Sequence, residues 1–236
     1  MPVIAPSTIL LAALAIDVSL GIAHTATQVG VPGPDRVVEL FNLGAERNLP
    51  TWWASAKLLV IGLTLGLLVP QLRAVRREWL VVAVAAAAFL FLSLDEFASI
   101  HEALGRRTRT DLLPTSGIWP FIYGAAGLAG AAWLAVAGRR LWALNHSAGA
   151  GLIGGLIGLV GAAAVLDLAN NVFAPGHAVL EGFVVIEEMG ELFAVSAILY
   201  GAWSLARPTA LGCAGDPPSA RPGAQAPGDG RLSGRV

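Results

Sequence analysis

The chain has 236 residues, 56% of them hydrophobic and 13% charged, with a mean hydropathy of +0.69 and a formal net charge of −1. About a quarter of an ordinary soluble domain is charged, so this composition excludes one, and its scattered arginines exclude the clustered basic surface that nucleic acid requires. The single cysteine, Cys213, excludes an intrachain disulfide and any paired-cysteine metal or redox motif.

A hydrocarbon core about 30 Å thick takes about 20 apolar residues per helix. Six such runs predict an all-α polytopic membrane bundle: Val3 to His24, Thr51 to Pro70, Trp79 to Ile100, Ile118 to Gly138, Gly149 to Val172 and Phe183 to Leu205. The first run has no basic leader and carries Asp17, so it reads as a retained helix rather than a cleaved signal, although Ala23 and Ala26 would suit a cleavage site. Between the first two runs, PGPDRVVELFNLGAERNLPTWW spaces Val37, Leu40 and Phe41 as a short interfacial helix, and Pro50 suits the next helix start. Trp52, Trp53, Trp79, Trp119 and Trp142 stand where headgroup-level anchors belong.

In the fifth run, Gly151 with Gly155 and Gly154 with Gly158 form overlapping small-residue pairs, which place that helix in the bundle centre. Residues 207–236 shift to Pro, Gly and Ala and predict a disordered tail, leaving 1–206 as the membrane domain. Flanking basic residues number six on the side of the termini and five on the other, a lean toward both termini in the cytoplasm.

Odd-numbered helices end, and even-numbered helices begin, on the same face, and that alternation gathers the polar groups into one layer. Asp17 and His24 end the first helix; Asp95, Glu96, Ser99, His101 and Glu102 end the third; Asp167, Asn170 and Asn171 end the fifth. Glu187, Glu188 and Glu191 come early in the sixth, and Ser55 and Lys57 early in the second. Eight of the 16 acids fall in this layer. An ionisable group costs about 2.5 to 3.5 kcal/mol at the centre of a span, so they should face inward and be relieved by protonation, a basic partner or a bound cation. Helical spacing puts Asp17 with His24 and Asp95 with Glu102 on shared faces and points Glu96 and His101 in different directions. Lys57, the one lysine, either balances an acid or snorkels to the headgroups. His146 and His177 read as solvated loop residues.

Carboxylate and imidazole suit a divalent Zn, Fe or Mn ion, with Asp95, Glu102, Glu188 and Glu191 as first ligands and His24, His101 and Asp17 as further ones. Glu96, Glu187, Asp167, Asn170, Asn171, Ser99, Lys57 and Glu46 would support it. The Glu-x-x-His pair of di-metal bundles is absent, since Glu96 and His101 are five apart, as are GxSxG, HExxH and His-x3-His motifs. Glu187 and Glu188 are similar to the paired glutamates of intramembrane CAAX-type proteases, but Leu192 replaces the arginine expected after them. Three functions follow: a metal-dependent hydrolase or oxidoreductase acting on membrane lipid, a cation- or proton-coupled transporter, and a non-catalytic scaffold, any of them a possible homo-oligomer.

NLGAERNLPTWWAS, LSLDEFASIHE and EEMGEL together resemble a group of bacterial polytopic six-helix membrane proteins. That group ends an acidic segment with Pro-Thr-Trp before its second helix and carries Leu-Asp-Glu and His-Glu at the end of its third. The resemblance implies an inner-membrane location and one constellation of Asn42, Glu46, Asn48, Pro50, Thr51, Trp52, Asp95, Glu96, His101 and Glu102. It implies no activity. An acid commonly stands near Gly44 in the group, and this sequence departs from the pattern there.

Overall fold

The computed structural model describes residues 4–28, 34–75, 78–110, 117–166, 168–169 and 177–207. Among them there are nine helices and no strands. The long ones are α1 (Pro6–Gln28), α3 (Leu49–Val75), α4 (Trp79–Ala98), α6 (Trp119–Ala137), α8 (His146–Leu166) and α9 (His177–Leu205). The short ones are α2 (Asp35–Leu40), α5 (Ile100–Thr108) and α7 (Arg139–Leu144). Backbone N–H and C=O groups find no partners in hydrocarbon, so apolar runs of this length close their hydrogen bonds as helices.

Five helices, α1, α3, α4, α6 and α8, are long and apolar enough to cross a membrane. The protein is a polytopic helical membrane bundle. Helix α9 carries Glu187, Glu188 and Glu191 in its outer half, which dilutes its hydropathy. Its inner half, with Leu192, Val195, Ile198, Ala202 and Leu205 buried, packs against α1, α3 and α8. Six long helices therefore match the six predicted runs. The predicted tail, apart from Arg207, lies outside the described residues, as does Cys213.

Two close approaches set the bundle. Helices α3 and α4 form an antiparallel pair in which a Cβ on Gly62 would stand 2.7 Å from Leu90. Ser55 Oγ donates to the Ser93 carbonyl and Ser93 Oγ to the Ser55 carbonyl, each at 2.9 Å, two residues short of Asp95. The fifth run does not sit at the bundle centre; its glycines instead bring it close to α9, where a Cβ on Gly151 would lie 2.6 Å from Gly201 Cα and one on Gly155 2.9 Å from the Ala194 carbonyl, and its other long neighbour is α6. Around these glycines α8 widens into π-helical turns at Ala150–Gly154 and Gly161–Leu166.

Helix α4 does not run on to Glu102. Ser99 takes a left-handed conformation, φ 53° and ψ 46°, closing α4 and redirecting the chain into α5. The chain then returns to α6 through Gly117, whose φ of +64° suits glycine and whose Cβ, were there one, would meet the Gly105 carbonyl at 2.5 Å. Ile118 N–H donates to Thr108 Oγ1 at 3.0 Å, so the start of α6 rests on the end of α5.

Candidate functional site

At that end of the bundle Asp95 and His101 form a pair. Asp95 Oδ1 accepts the His101 backbone N–H at 3.0 Å, capping the first turn of α5, and Asp95 Oδ2 meets His101 Nδ1 at 3.0 Å. Tyr123 on α6 donates its hydroxyl to Asp95 Oδ1 at 3.0 Å. Asp95 is buried, and with His101 Nδ1–H donating to Asp95 Oδ2, Nε2 is left as the basic nitrogen. Burial works against charge on His101, but the Asp95 hydrogen bond and charge, with Glu96 and Glu46, outweigh it and hold His101 above its ordinary value. The rings of Trp119 and Tyr123 stand edge to face, centroids 5.8 Å apart, and His101 lies 4.9 Å from Trp119.

Two cavities meet here. One, of about 480 Å³, is an apolar chamber between α4 and α6 with α3, α8 and α9 behind it, lined by residues such as Leu58, Phe89, Trp133, Leu156 and Val160. Along α6 its lining runs from Trp119 to Leu134, about 22 Å at 1.5 Å per residue, which exceeds the depth of one leaflet of a bilayer core about 30 Å thick. The other, of about 240 Å³, is polar and lined by Glu46, Glu96, Glu102, Glu187, Glu188 and Glu191 together with Arg106 and Arg109. Glu96, His101, Trp119 and Glu191 line both, so they form the neck between them.

Glu46 arrives from the loop before α3. Asn48 caps that helix by accepting the Thr51 N–H at 3.1 Å, and its amide donates to the Asn42 and Ala45 carbonyls, folding the loop back. His24 Nδ1 accepts the Leu43 N–H at 3.1 Å and pins the same loop to α1. Ser99 then donates to Glu46 Oε2 at 2.9 Å. Burial raises Glu46 above the usual carboxylate range, and the Ser99 hydrogen bond and the His101 charge offset only part of that.

Asp17 belongs to a different place. Its Oδ1 accepts from Lys57 Nζ at 2.8 Å and Trp53 Nε1 at 2.7 Å, and its Oδ2 accepts from Ser196 Oγ at 2.6 Å. Lys57 completes its three donors with the Leu192 carbonyl at 2.7 Å and Ser196 Oγ at 3.0 Å. Asp17 and Lys57 are 0% and 2% exposed, so this node ties α1, α3 and α9 together inside the bundle and offers no ligand. Of the two expectations for Lys57, it balances an acid; it does not snorkel.

The expected metal set therefore does not gather. Asp17 is consumed by Lys57, Asp95 by His101, and Glu102 by Arg106 at 2.7 Å with its side chain 42% exposed. Among the described residues no group of three or more His, Cys, Asp or Glu is arranged to hold a metal ion. Glu188 and Glu191 do share the polar cavity with His101, whereas His24 serves the loop. Two face assignments fail for one reason, the break at Ser99: Asp95 pairs with His101 rather than lying in register with Glu102, and Glu96 and His101 border the same cavities. Asp167, Asn170 and Asn171 lie outside the described residues. Spacing alone missed Tyr123 and Ser196, single hydroxyls in apolar runs. It also read Trp53 and Trp119 as anchors, although both stand in polar clusters; Trp52 is exposed, as an anchor would be.

Fold and site together define a polytopic helical membrane protein whose polar cavity at one end of the bundle opens into an apolar chamber within it. The chain belongs to the family described as a domain of unknown function, DUF8692, whose model matches residues 8–205. No curated protein and no solved structure matches it.

Proposed function

We propose that this protein is an enzyme of the lipid interface, in which His101, held by Asp95, is the general base toward an amphipathic substrate whose hydrocarbon part occupies the apolar chamber. The observation that carries this reading is the position of the Asp95–His101 pair at the neck joining an apolar cavity of about 480 Å³ to a polar one of about 240 Å³. Membrane lipid is the substrate class such a pair of cavities suits, because a chain can lie in the chamber while its head reaches the imidazole.

The chemistry that fits is base-assisted hydrolysis. His101 Nε2 takes a proton from water as the water oxygen bonds to an electrophilic carbon or phosphorus of the head, and the same proton then leaves with the departing oxygen. Asp95 stabilises the imidazolium formed between these steps, and Tyr123 holds Asp95 in place. The basic residues, six on the side of the termini and five opposite, favour both termini in the cytoplasm and the polar cavity on the other face. An ion path draws less support, since among the described residues the inner core at Leu65, Leu68, Leu72 and Val82 is apolar.

The test is to incubate the full-length protein in nanodiscs with a total membrane lipid extract and to compare the lipids by mass spectrometry before and after. The expected result is at least one species consumed by the wild type and spared by His101→Gln, a loss of about 10² to 10⁴ in rate. An extract unchanged by the wild type, or changed equally by both, contradicts the reading.

A further inference from the structure

We infer that the molecule seated in this joined cavity is an amphiphile with an ammonium head, the cationic nitrogen lying at the neck among Glu96, Glu191, Trp119 and Tyr123. The inference rests on the proposed function only in taking the chamber as the substrate's place, and it adds the chemistry of the head.

The chamber fixes where selection must happen. A hydrocarbon chain that leaves a bilayer for an apolar chamber exchanges one apolar medium for another, so the hydrophobic effect contributes little to its choice of site. Discrimination therefore falls to the neck and the polar cavity. There six glutamates face two arginines and His101, with Arg106 already held by Glu102 at 2.7 Å and His101 by Asp95 at 3.0 Å. A phosphate or carboxylate head would add negative charge to that wall, whereas a cation neutralises it.

The aromatic pair points to the same head independently of the acids. Trp119 and Tyr123 stand at 87° to each other with centroids 5.8 Å apart, forming a corner that His101 shares at 4.9 Å from the first and 6.2 Å from the second, and all three line the apolar chamber while Trp119 and His101 also line the polar one. Aromatic faces beside a carboxylate are the recognised surroundings of an ammonium group, quaternary ones above all. Glu96 and Glu191 border both cavities at that corner.

The chamber can be closed without touching the head site. A Cβ on Gly130 would meet only Leu156, at 3.8 Å, so a side chain there enters open space lined by apolar residues. Gly130→Leu fills the chamber and leaves the neck intact.

The experiment uses the full chain in nanodiscs of uncharged galactolipid, with thermal unfolding followed as dodecyltrimethylammonium, dodecylamine, dodecanol or dodecanoate is added at equal mole fraction. Both ammonium probes should raise the unfolding temperature and half-saturate at a mole fraction at least tenfold below that of dodecanol, with dodecanoate weaker still. The trimethylammonium probe binding better than the primary amine would assign the dominant contact to the aromatic corner, and the reverse order would assign it to the glutamates. The Glu96→Gln/Glu191→Gln double variant and Trp119→Ala should each lose the tenfold preference, and Gly130→Leu should weaken both ammonium probes at least tenfold while unfolding normally without ligand. Equal response to dodecanol or dodecanoate, or a preference that survives in the double variant, overturns the inference. A protein that binds them but consumes no lipid loses the enzymatic reading and keeps this one, while one that consumes lipid without preferring ammonium keeps the reading and loses this.

Discussion

Asp95, in the last turn of one helix, caps the next and orients an imidazole, both with one carboxylate. Asp95→Asn keeps the shape but removes the charge that holds His101 up, so a titration of the His101 ring by NMR should give a lower midpoint in the variant than in the wild type. The linkage has a definite sign. Because the folded His101 value lies above its ordinary value of about 6.5, the stability it contributes is complete below pH about 6.5 and is lost as pH rises through the raised value. Unfolding measured across that window should show the wild type losing stability as pH rises and Asp95→Asn losing less. Lys57 carries a second residue-scale prediction. Lys57→Met strands the buried Asp17 carboxylate and should cost about 3 to 5 kcal/mol, while Asp17→Asn in the same chain should restore part of it. Equal stability of Lys57→Met and wild type would contradict the buried node.

The six long helices were readable from apolar run length alone, because lipid leaves the backbone no alternative to internal hydrogen bonds, whereas α5 and α7 were not read. Even α9, diluted by its glutamates, was marked by the apolar residues after them. The break between α4 and α5 was not readable. A left-handed residue is commonly glycine, and here it is Ser99, held by its position between the two helices and bonded to Glu46, so a helical extrapolation from Asp95 to Glu102 had nothing to stop it. The crossing of α8 and α9 was announced by its glycines and can be tested as an element. Gly201→Ala would place a Cβ 2.6 Å from Leu152 N and should force the helices apart, lowering the unfolding temperature. Gly66→Ala, with nothing within 4 Å, should leave it unchanged or raise it slightly.

Across the whole molecule, the polar layer expected from the alternation of spans divides into two parts with different work. Asp17, Lys57, Trp53 and Ser196 make a closed node that joins α1, α3 and α9, and the glutamates with His101 make an open cavity. Depth could be counted along the chain, so the layer was legible. Which helix neighbours which could not be counted, so the partition was not. The same neighbour relations leave the chamber between α4 and α6, and no single helix encodes it. The central claim is that His101 works as a base on a molecule drawn from the bilayer, and the pH dependence of lipid turnover tests it most directly. Turnover by the wild type should rise with pH through a midpoint above about 6.5, and Asp95→Asn should move that midpoint down while slowing the reaction. A rate independent of pH across that range, or a midpoint unmoved by Asp95→Asn, would contradict the account.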